Sequence, residues 1–334
     1  MNRTIPTATS LLVLALAVGL SACGGSGNSS GGGSTKLSLV AYSTPKEAYD
    51  AIIPAFEKTP AGKGVTFTQS YGASGDQAKS VLAGLPTDVV ALSLEPDVTK
   101  LVKASLVAPT WQDATSTKGI VTHSVVVIAV RKGNPKHIKT WADLVKPGIQ
   151  VLTPNPFTSG GARWNIMAAY GAQIEDGKTE AQANAYLQDL FKHVVVQDKA
   201  ARDSLQSFAS GKGDALISYE NEAIAAQQAG QKIDYVIPDE TIRIDNPIAA
   251  TTAANAKAKA FVQYAVSTPA QKIFAAKGYR SVIPSLVDKT RFPDPPKEFD
   301  ISKFGGWDAV MKKFFDPTSS VMQRVEKSLG VSTG

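Results

Sequence analysis

From residue 36 onward, short β-branched runs alternate with amphipathic stretches of helical period, and this alternation restricts the fold more than any other feature of the chain. Runs at 36–41, 65–70, 88–92, 125–131, 149–152, 194–197, 215–218 and 235–237 read as strands. Those at 45–56, 74–83, 97–104, 140–145, 161–170, 180–192, 202–209 and 221–229 read as helices, and helix dominates from 257 on. Pro45 stands in a first turn, where its missing N–H does no harm. Ser74 is a natural N-cap. The segment VVVIAVR at 125–131 has the continuous apolar character of a strand buried on both faces. The pattern predicts an α/β fold with largely parallel sheets. No repeat of fixed period is present. A body of about 300 residues exceeds one compact core, so two lobes are expected.

In open α/β sheets, ligands sit beyond the carboxyl ends of strands, where helices begin. Four such turns combine small or hydroxyl residues with a helix start: 41–45, 70–76, 154–165 and 197–204. The first N–H groups of a helix lack intrahelical acceptors, and the peptide dipoles place about half a positive charge there. Glycine permits close approach and serine adds a hydroxyl donor. Taken singly, each turn is ordinary capping chemistry; Ser74 with Asp76 is an example. Taken together, they predict capture of a small dianion by neutral donors, with no lysine or arginine in contact.

Other chemistries fare poorly. The 334 residues are 43% hydrophobic and 19% charged, which fits a soluble globular chain and not a disordered or multi-span one. Lys and Arg number 35 against 29 Asp and Glu, with no dense basic stripe, so nucleic acid is not an expected partner. One cysteine excludes an intramolecular disulfide or a CxxC metal site, and the histidines His123, His137 and His193 are scattered, so no metal and no cofactor is expected. His123 falls at the lobe crossover and reads as structural, whereas His137 and His193 fall at element ends and read as solvated. No GxSxG elbow occurs; the order at 72–75 is Gly-Ala-Ser-Gly. No GxxxxGK[ST] phosphate loop occurs, and Gly211-Lys212-Gly213 reads as a helix terminator. No enzyme is expected.

Arg3 followed by the apolar run LLVLALAVGL at 11–20 fits a secretory signal peptide and is too short to span a bilayer. The run ends in Leu20-Ser21-Ala22-Cys23-Gly24, which resembles the bacterial lipobox. The resemblance implies that Cys23 carries lipid and becomes the first mature residue. Residues 24–34, GGSGNSSGGGS, read as a flexible tether. The chain is therefore expected outside the cytoplasmic membrane, anchored to it through Cys23 and not spanning it.

Beyond the turns themselves, Val130-Arg131-Lys132-Gly133-Asn134-Pro135-Lys136, Trp141, Asp143-Leu144, Lys146-Pro147-Gly148 and Thr153-Pro154-Asn155-Pro156 stand in series. They lead into Ser159-Gly160-Gly161-Ala162-Arg163-Trp164-Asn165, and Tyr219-Glu220-Asn221-Glu222-Ala223 and Phe304-Gly305-Gly306-Trp307 follow. Over residues 36–315 the chain resembles the sulfate-binding proteins of bacterial ATP-driven sulfate importers. The resemblance implies a two-lobed periplasmic binding protein fold of type II. Each lobe is a mostly parallel sheet flanked by helices, the lobes are joined by a two-strand hinge, and sulfate sits in the cleft. It implies that Ser74 offers its N–H and hydroxyl at one helix start, Ser159, Gly160 and Gly161 at another, and Ala201 its N–H at a third. Arg163 and Arg202 would tie helix ends together behind the ligand. The family usually has an aspartate where this chain has Ser43 and a tryptophan where it has Tyr219; both remain candidate contacts.

The expected division is a signal peptide at 1–22, lipidated Cys23 and linker at 23–35, lobe one at 36–122 plus 250–334, and lobe two at 123–249. Hinge crossings are expected near 122–124 and 247–250. Sulfate would enter an open cleft, the lobes would close, and the closed monomer would dock on an ABC permease. Having Ser43 in place of a carboxylate removes one acceptor for a protonated phosphate. Rival readings are thiosulfate, molybdate, tungstate or phosphate as ligand, an enzyme on the same fold, or a purely structural lipoprotein.

Overall fold

A computed structural model describes residues 34–331. The expected signal peptide, Cys23 and most of the linker lie outside the described residues. In chain order the elements are β1 (Thr35–Tyr42), α1 (Lys46–Glu57), β2 (Val65–Gly72), α2 (Ser74–Leu82), β3 (Val89–Ala91) and α3 (Glu95–Lys103). Next come β4 (Ile120–Arg131), β5 (Val151–Leu152), α4 (Gly160–Glu175), α5 (Glu180–Lys192), β6 (Val194–Val196), α6 (Ala201–Ala209), β7 (Ala215–Tyr219), α7 (Glu220–Gln228) and β8 (Ile233–Val236). The chain closes with β9 (Glu240–Ala250), α8 (Ala256–Ala265), α9 (Thr268–Ala276), β10 (Lys297–Phe299), α10 (Gly306–Phe314) and α11 (Val321–Ser328). Short 3₁₀ turns fall between some of these; the expected helix near 140–145 is one of them, Trp141–Val145, started by a Thr140–Asp143 capping box. Thr35, counted with the linker, already belongs to β1.

The strand order is β2-β1-β3-β9-β4-β7-β5-β6, with β10 beside β9 and β8 beside β4. The α/β expectation holds. Consecutive βα units make the parallel pairs β1–β2, β1–β3, β5–β6 and β5–β7. The pairs of β3 with β9, and of β4 with β7, β8 and β9, are antiparallel. Two long strands account for this: β4 and β9 pair with each other over 120–125 and 243–247, and each then continues into a different sheet neighbour. This is the two-lobed, type II architecture with two crossing strands.

Apolar burial separates along the same line. Leu37 and Leu39 of β1 pack with Tyr49, Ile52 and Phe56 of α1 and Phe261 and Phe274 of α8 and α9. Fully burying each such side chain contributes about 1.5–3 kcal/mol. A second cluster gathers Val126, Ile128 and Val130 of β4 with Trp164 and Tyr170 of α4 and Leu187 and Phe191 of α5. The C-terminal segment corrects an expectation. Residues 250–334 were expected together in lobe one, yet Phe299, Trp307, Phe314, Val321 and Met322 join the second cluster. The cause is α4, which is buried from Gly160 to Gln173 and needs cover on its outer face; Trp307 meets Trp164 edge to face at 4.6 Å.

Candidate functional site

The starts of α2, α4 and α6 and the ends of β1, β3 and β7 converge on one small cavity, far below the roughly 300–1,000 Å³ of a drug-sized pocket. It is lined by Tyr42 and Ser43 at the end of β1, Gly72, Ala73 and Ser74 where β2 turns into α2, and Ser93 after β3. Ser159, Gly160 and Gly161 at the start of α4, Ala201 at the start of α6, and Tyr219 at the end of β7 complete it. Every candidate contact named from sequence is in this lining. Tyr42, Gly72, Ala73 and Ser93 were not named. No lining residue is charged.

Each helix delivers its N-terminus for a local reason. Ser159 caps α4 by accepting the Ala162 N–H at 3.3 Å, which leaves its own proton and the N–H groups of Gly160 and Gly161 uncommitted to the cap. The preceding turn is stitched by Ser159 N–H to Asn155 O at 2.9 Å and Thr158 Oγ1 to Lys199 O at 2.8 Å. Ala201 opens α6, and the next N–H, of Arg202, points to Ser43 Oγ at 3.4 Å. Ser74 opens α2 as its first residue, the capping position falling on Ala73. Its hydroxyl differs from expectation. It donates to Asp97 Oδ2 at 2.7 Å and accepts the Ser93 N–H at 3.0 Å, so its proton is spent inside the wall. What Ser74 can offer the cavity is its backbone N–H.

The charges stand one layer back. Asp97 is fully buried beside Lys100 Nζ at 2.8 Å and Arg163 Nη1 at 3.6 Å. Burial alone would push its carboxyl up, but Arg163, Lys100 and the Ser74 hydroxyl together hold it below the ordinary carboxylate value. Arg163 also donates from Nε to Pro156 O at 2.9 Å. Arg202 is clamped by Glu222 at 2.7 Å and 3.0 Å, by Thr44 O at 3.0 Å and by Glu47 at 2.8 Å. Neither arginine is among the residues that line the cavity. Burial of Tyr219 and Tyr42 raises their phenol pKa values well above normal, so both remain neutral hydroxyls. Tyr219 OH meets Ser93 Oγ at 2.6 Å, and Tyr42 donates to Asn246 Oδ1 at 2.9 Å.

Contacts from the two halves of the sheet meet over the cavity. The Gly75 N–H donates to Thr158 O at 3.2 Å, and Trp164 Nε1 donates to Ser93 O at 3.0 Å. Outside, a wider mouth of about 540 Å³ opens between α1, α2 and α6, spanned by Lys199 and Asp76 at 2.9 Å. His123 pairs with Asp245 at 2.6 Å where β4 and β9 cross, the structural place expected for it. His137 is exposed, while His193 is half-buried with Nδ1 3.0 Å from Ile149 O. Among the described residues no cluster of three or more His, Cys, Asp or Glu could hold a metal, and no helix is long and apolar enough to cross a membrane.

A cavity of this size, walled by helix N-termini and hydroxyls where two lobes meet, defines a binding protein for a small anion. The chain belongs to the bacterial extracellular solute-binding proteins, whose family model matches residues 37–280. A sulfate-binding protein of Synechococcus elongatus is 43% identical over 319 residues, 91% of each chain. A thiosulfate-binding protein of Pseudomonas aeruginosa is 34% identical over 292 residues, 83% of this chain and 88% of that one. The solved sulfate-binding protein SubI from Mycobacterium tuberculosis superposes with a TM-score of 0.82 at 41% identity, covering 84% of this chain and all of SubI. Like other members of its family, the chain works outside the cytoplasm.

Proposed function

We propose that this chain captures sulfate between its two lobes and delivers it to the permease of an ATP-driven importer. The observation that carries the reading is the lining: the N–H groups of Ser74, Gly160, Gly161 and Ala201, the hydroxyls of Ser43, Ser159 and Tyr219, and no charged side chain. Hydrogen bonds to a charged group contribute roughly 1.5–3 kcal/mol each. About seven of them offset the desolvation of a dianion and leave the roughly 8 kcal/mol that micromolar binding requires. Sulfate is fully ionised at neutral pH and needs only donors, which is what this lining offers; a protonated phosphate also wants an acceptor.

In this reading lobe one comprises 36–122 with the α8–α9 region, and lobe two comprises 123–249 covered by the segment from β10 to α11. The hinge lies where β4 and β9 exchange partners. The protein acts as a monomer, makes no covalent change in its ligand, and is held at the membrane by lipid on Cys23. Detergent partitioning of the protein expressed with its own N-terminus, beside C23S, tests the anchor.

Competition calorimetry with sulfate, thiosulfate, molybdate and phosphate tests the function. Sulfate is expected to bind with micromolar or tighter affinity and phosphate more than tenfold more weakly. Phosphate within tenfold of sulfate, or no heat from sulfate, overturns the reading. Thiosulfate stands as the second reading, favoured by the 34% identical thiosulfate-binding relative.

A further inference from the structure

Ser93 lies in the turn between β3 and α3, and it joins four groups at once. Its N–H donates to Ser74 Oγ, and its carbonyl accepts from Trp164 Nε1 at 3.0 Å and Asn246 Nδ2 at 2.8 Å. Its hydroxyl lies 2.6 Å from Tyr219 OH. Ser93 is 1% exposed, Tyr219 1% and Asn246 0%, so the ring is dry. Asn246 sits on β9 opposite Thr122 of β4, at the crossing strands, and its Oδ1 accepts from both Thr122 and Tyr42. The ring therefore runs from cavity wall to crossing strands and back.

We infer that Ser93 is a positioning residue for anion binding, acting by aiming the Tyr219 hydroxyl into the cavity when the lobes close. The inference rests on the anion-binding reading above. Two hydroxyls carry two protons; one is spent between them and one remains for the cavity. The phenol is the stronger acid, and a charge-assisted bond to an anion favours the stronger donor. Ser93 then donates to Tyr219, and the phenolic proton, confined to the ring plane, turns to the ligand. On the lobe division given above, the Ser93–Tyr219 bond crosses the cleft and exists only in the closed form. Its net contribution consequently enters the binding constant in full. For a neutral pair that amounts to roughly a 2- to 12-fold change in affinity. Because the other three bonds of Ser93 use its backbone, Ser93→Ala removes this one bond and leaves the turn intact.

The test is a double-mutant cycle of wild type, S93A, Y219F and S93A/Y219F, run by calorimetry with whichever of sulfate, thiosulfate, molybdate or phosphate the wild type binds most tightly. Unliganded melting temperatures are measured in parallel. S93A is expected to weaken binding about fivefold, mainly through a faster off-rate, with its melting temperature unchanged. In the Y219F background the same substitution is expected to change affinity less than twofold, because its partner is gone. Ligand-induced change in tryptophan emission should persist in S93A, since the Trp164 bond to the Ser93 carbonyl is kept. The inference is overturned if S93A binds as wild type does, or loses the same factor in both backgrounds. A wild type that prefers an anion other than sulfate removes the sulfate reading while the cycle still decides on Ser93; a wild type that binds none of the four removes both.

Discussion

Adding one methyl group at Gly160 is expected to block closure without harming the fold. A β-carbon built there would lie 2.4 Å from Leu94 Cδ2 and 2.6 Å from both Cβ and Oγ of Ser93. Real contacts of a β-carbon are not found below about 3.0 Å, so one surface has to retreat. Leu94 is fully buried and Ser93 is held by its four partners, so neither can swing aside. Gly160 belongs to α4 and Ser93–Leu94 to the turn after β3, so in the proposed division the clash exists only when the lobes meet. Overpacking of this kind costs about 1–3 kcal/mol, which is a 5- to 150-fold loss of affinity by the usual roughly 1.4 kcal/mol per decade. In that division the open form would have no clash, and alanine is a better helix former than glycine, so the unliganded Gly160→Ala protein should melt at the wild-type temperature or slightly above. Gly161→Ala is the contrast. Its β-carbon would lie 3.2 Å from Ala201 Cβ and Tyr219 Cε2, on elements of the same lobe, so its strain is present with or without ligand. Calorimetric titration with sulfate and scanning calorimetry of the unliganded proteins measure both quantities. Sulfate affinity within twofold of wild type for Gly160→Ala, or an equal loss of unliganded stability, would refute the claim that the clash is made by closure.

Arg202→Ala leaves the fully buried Glu222 without its partner and should cost about 3–5 kcal/mol in urea unfolding, with Glu222→Gln in the same chain restoring most of it. Ser159→Ala removes a helix cap and a hydroxyl donor; about 1 kcal/mol of stability should go by denaturation, and roughly tenfold in sulfate affinity by calorimetry. The Asp97 carboxyl is held below its ordinary 3.8, so its partners contribute stability that is present above that value and disappears as pH falls through the lower folded value. Urea midpoints measured from pH 6 down to pH 2 should fall more steeply for wild type than for Asp97→Asn.

The α/β class and part of the cavity lining are legible locally in the sequence, while the long-range contacts are not. Serine and glycine at a helix start are a local signal, and so residues 74 and 159–161 stand out without any tertiary information, whereas Ala201 is named only through the family resemblance. Ser93 could not be read that way. It stands just past the strand 89–91, where ligands are expected, but Ser-Leu-Glu-Pro contains no glycine and looks like a plain helix entry. Its role comes from partners 19 to 153 positions away in sequence. The Ser74 hydroxyl misled for the same reason, since its acceptor, Asp97, lies on another helix. The sequence predicts only a crossing near 247–250, whereas β9 begins at Glu240; its Arg243, Asp245 and Asn246 break the apolar pattern and face Asp300, His123 and Ser93, contacts a periodicity cannot show. Residues 250–334 are expected on one lobe, whereas α4, buried on every face, draws the segment from β10 to α11 to the other cluster.

Keeping formal charge out of the lining has a consequence for release. A lysine or arginine in contact would hold the anion with the cleft open, and separating the lobes would then free little. Neutral N–H groups act differently, because each is weak alone and all are needed together. In the proposed division the starts of α4 and α6 and Tyr219 sit on one lobe, while Ser43, Ser74 and Ser93 sit on the other. Parting the lobes therefore strips the anion of the α2 terminus and admits water to the rest. Neither arginine is in the lining, and each is already paired, Arg163 with Asp97 and Arg202 with Glu47 and Glu222. In the proposed division both pairings bridge the lobes, Arg202 through Glu47 on α1 and Arg163 through Asp97 on α3, so part of the closing energy is protein to protein and independent of ligand. Anything that pulls α1 from α6 works against that bridge and the helix termini at once, and so opens the cleft and weakens the grip in a single motion.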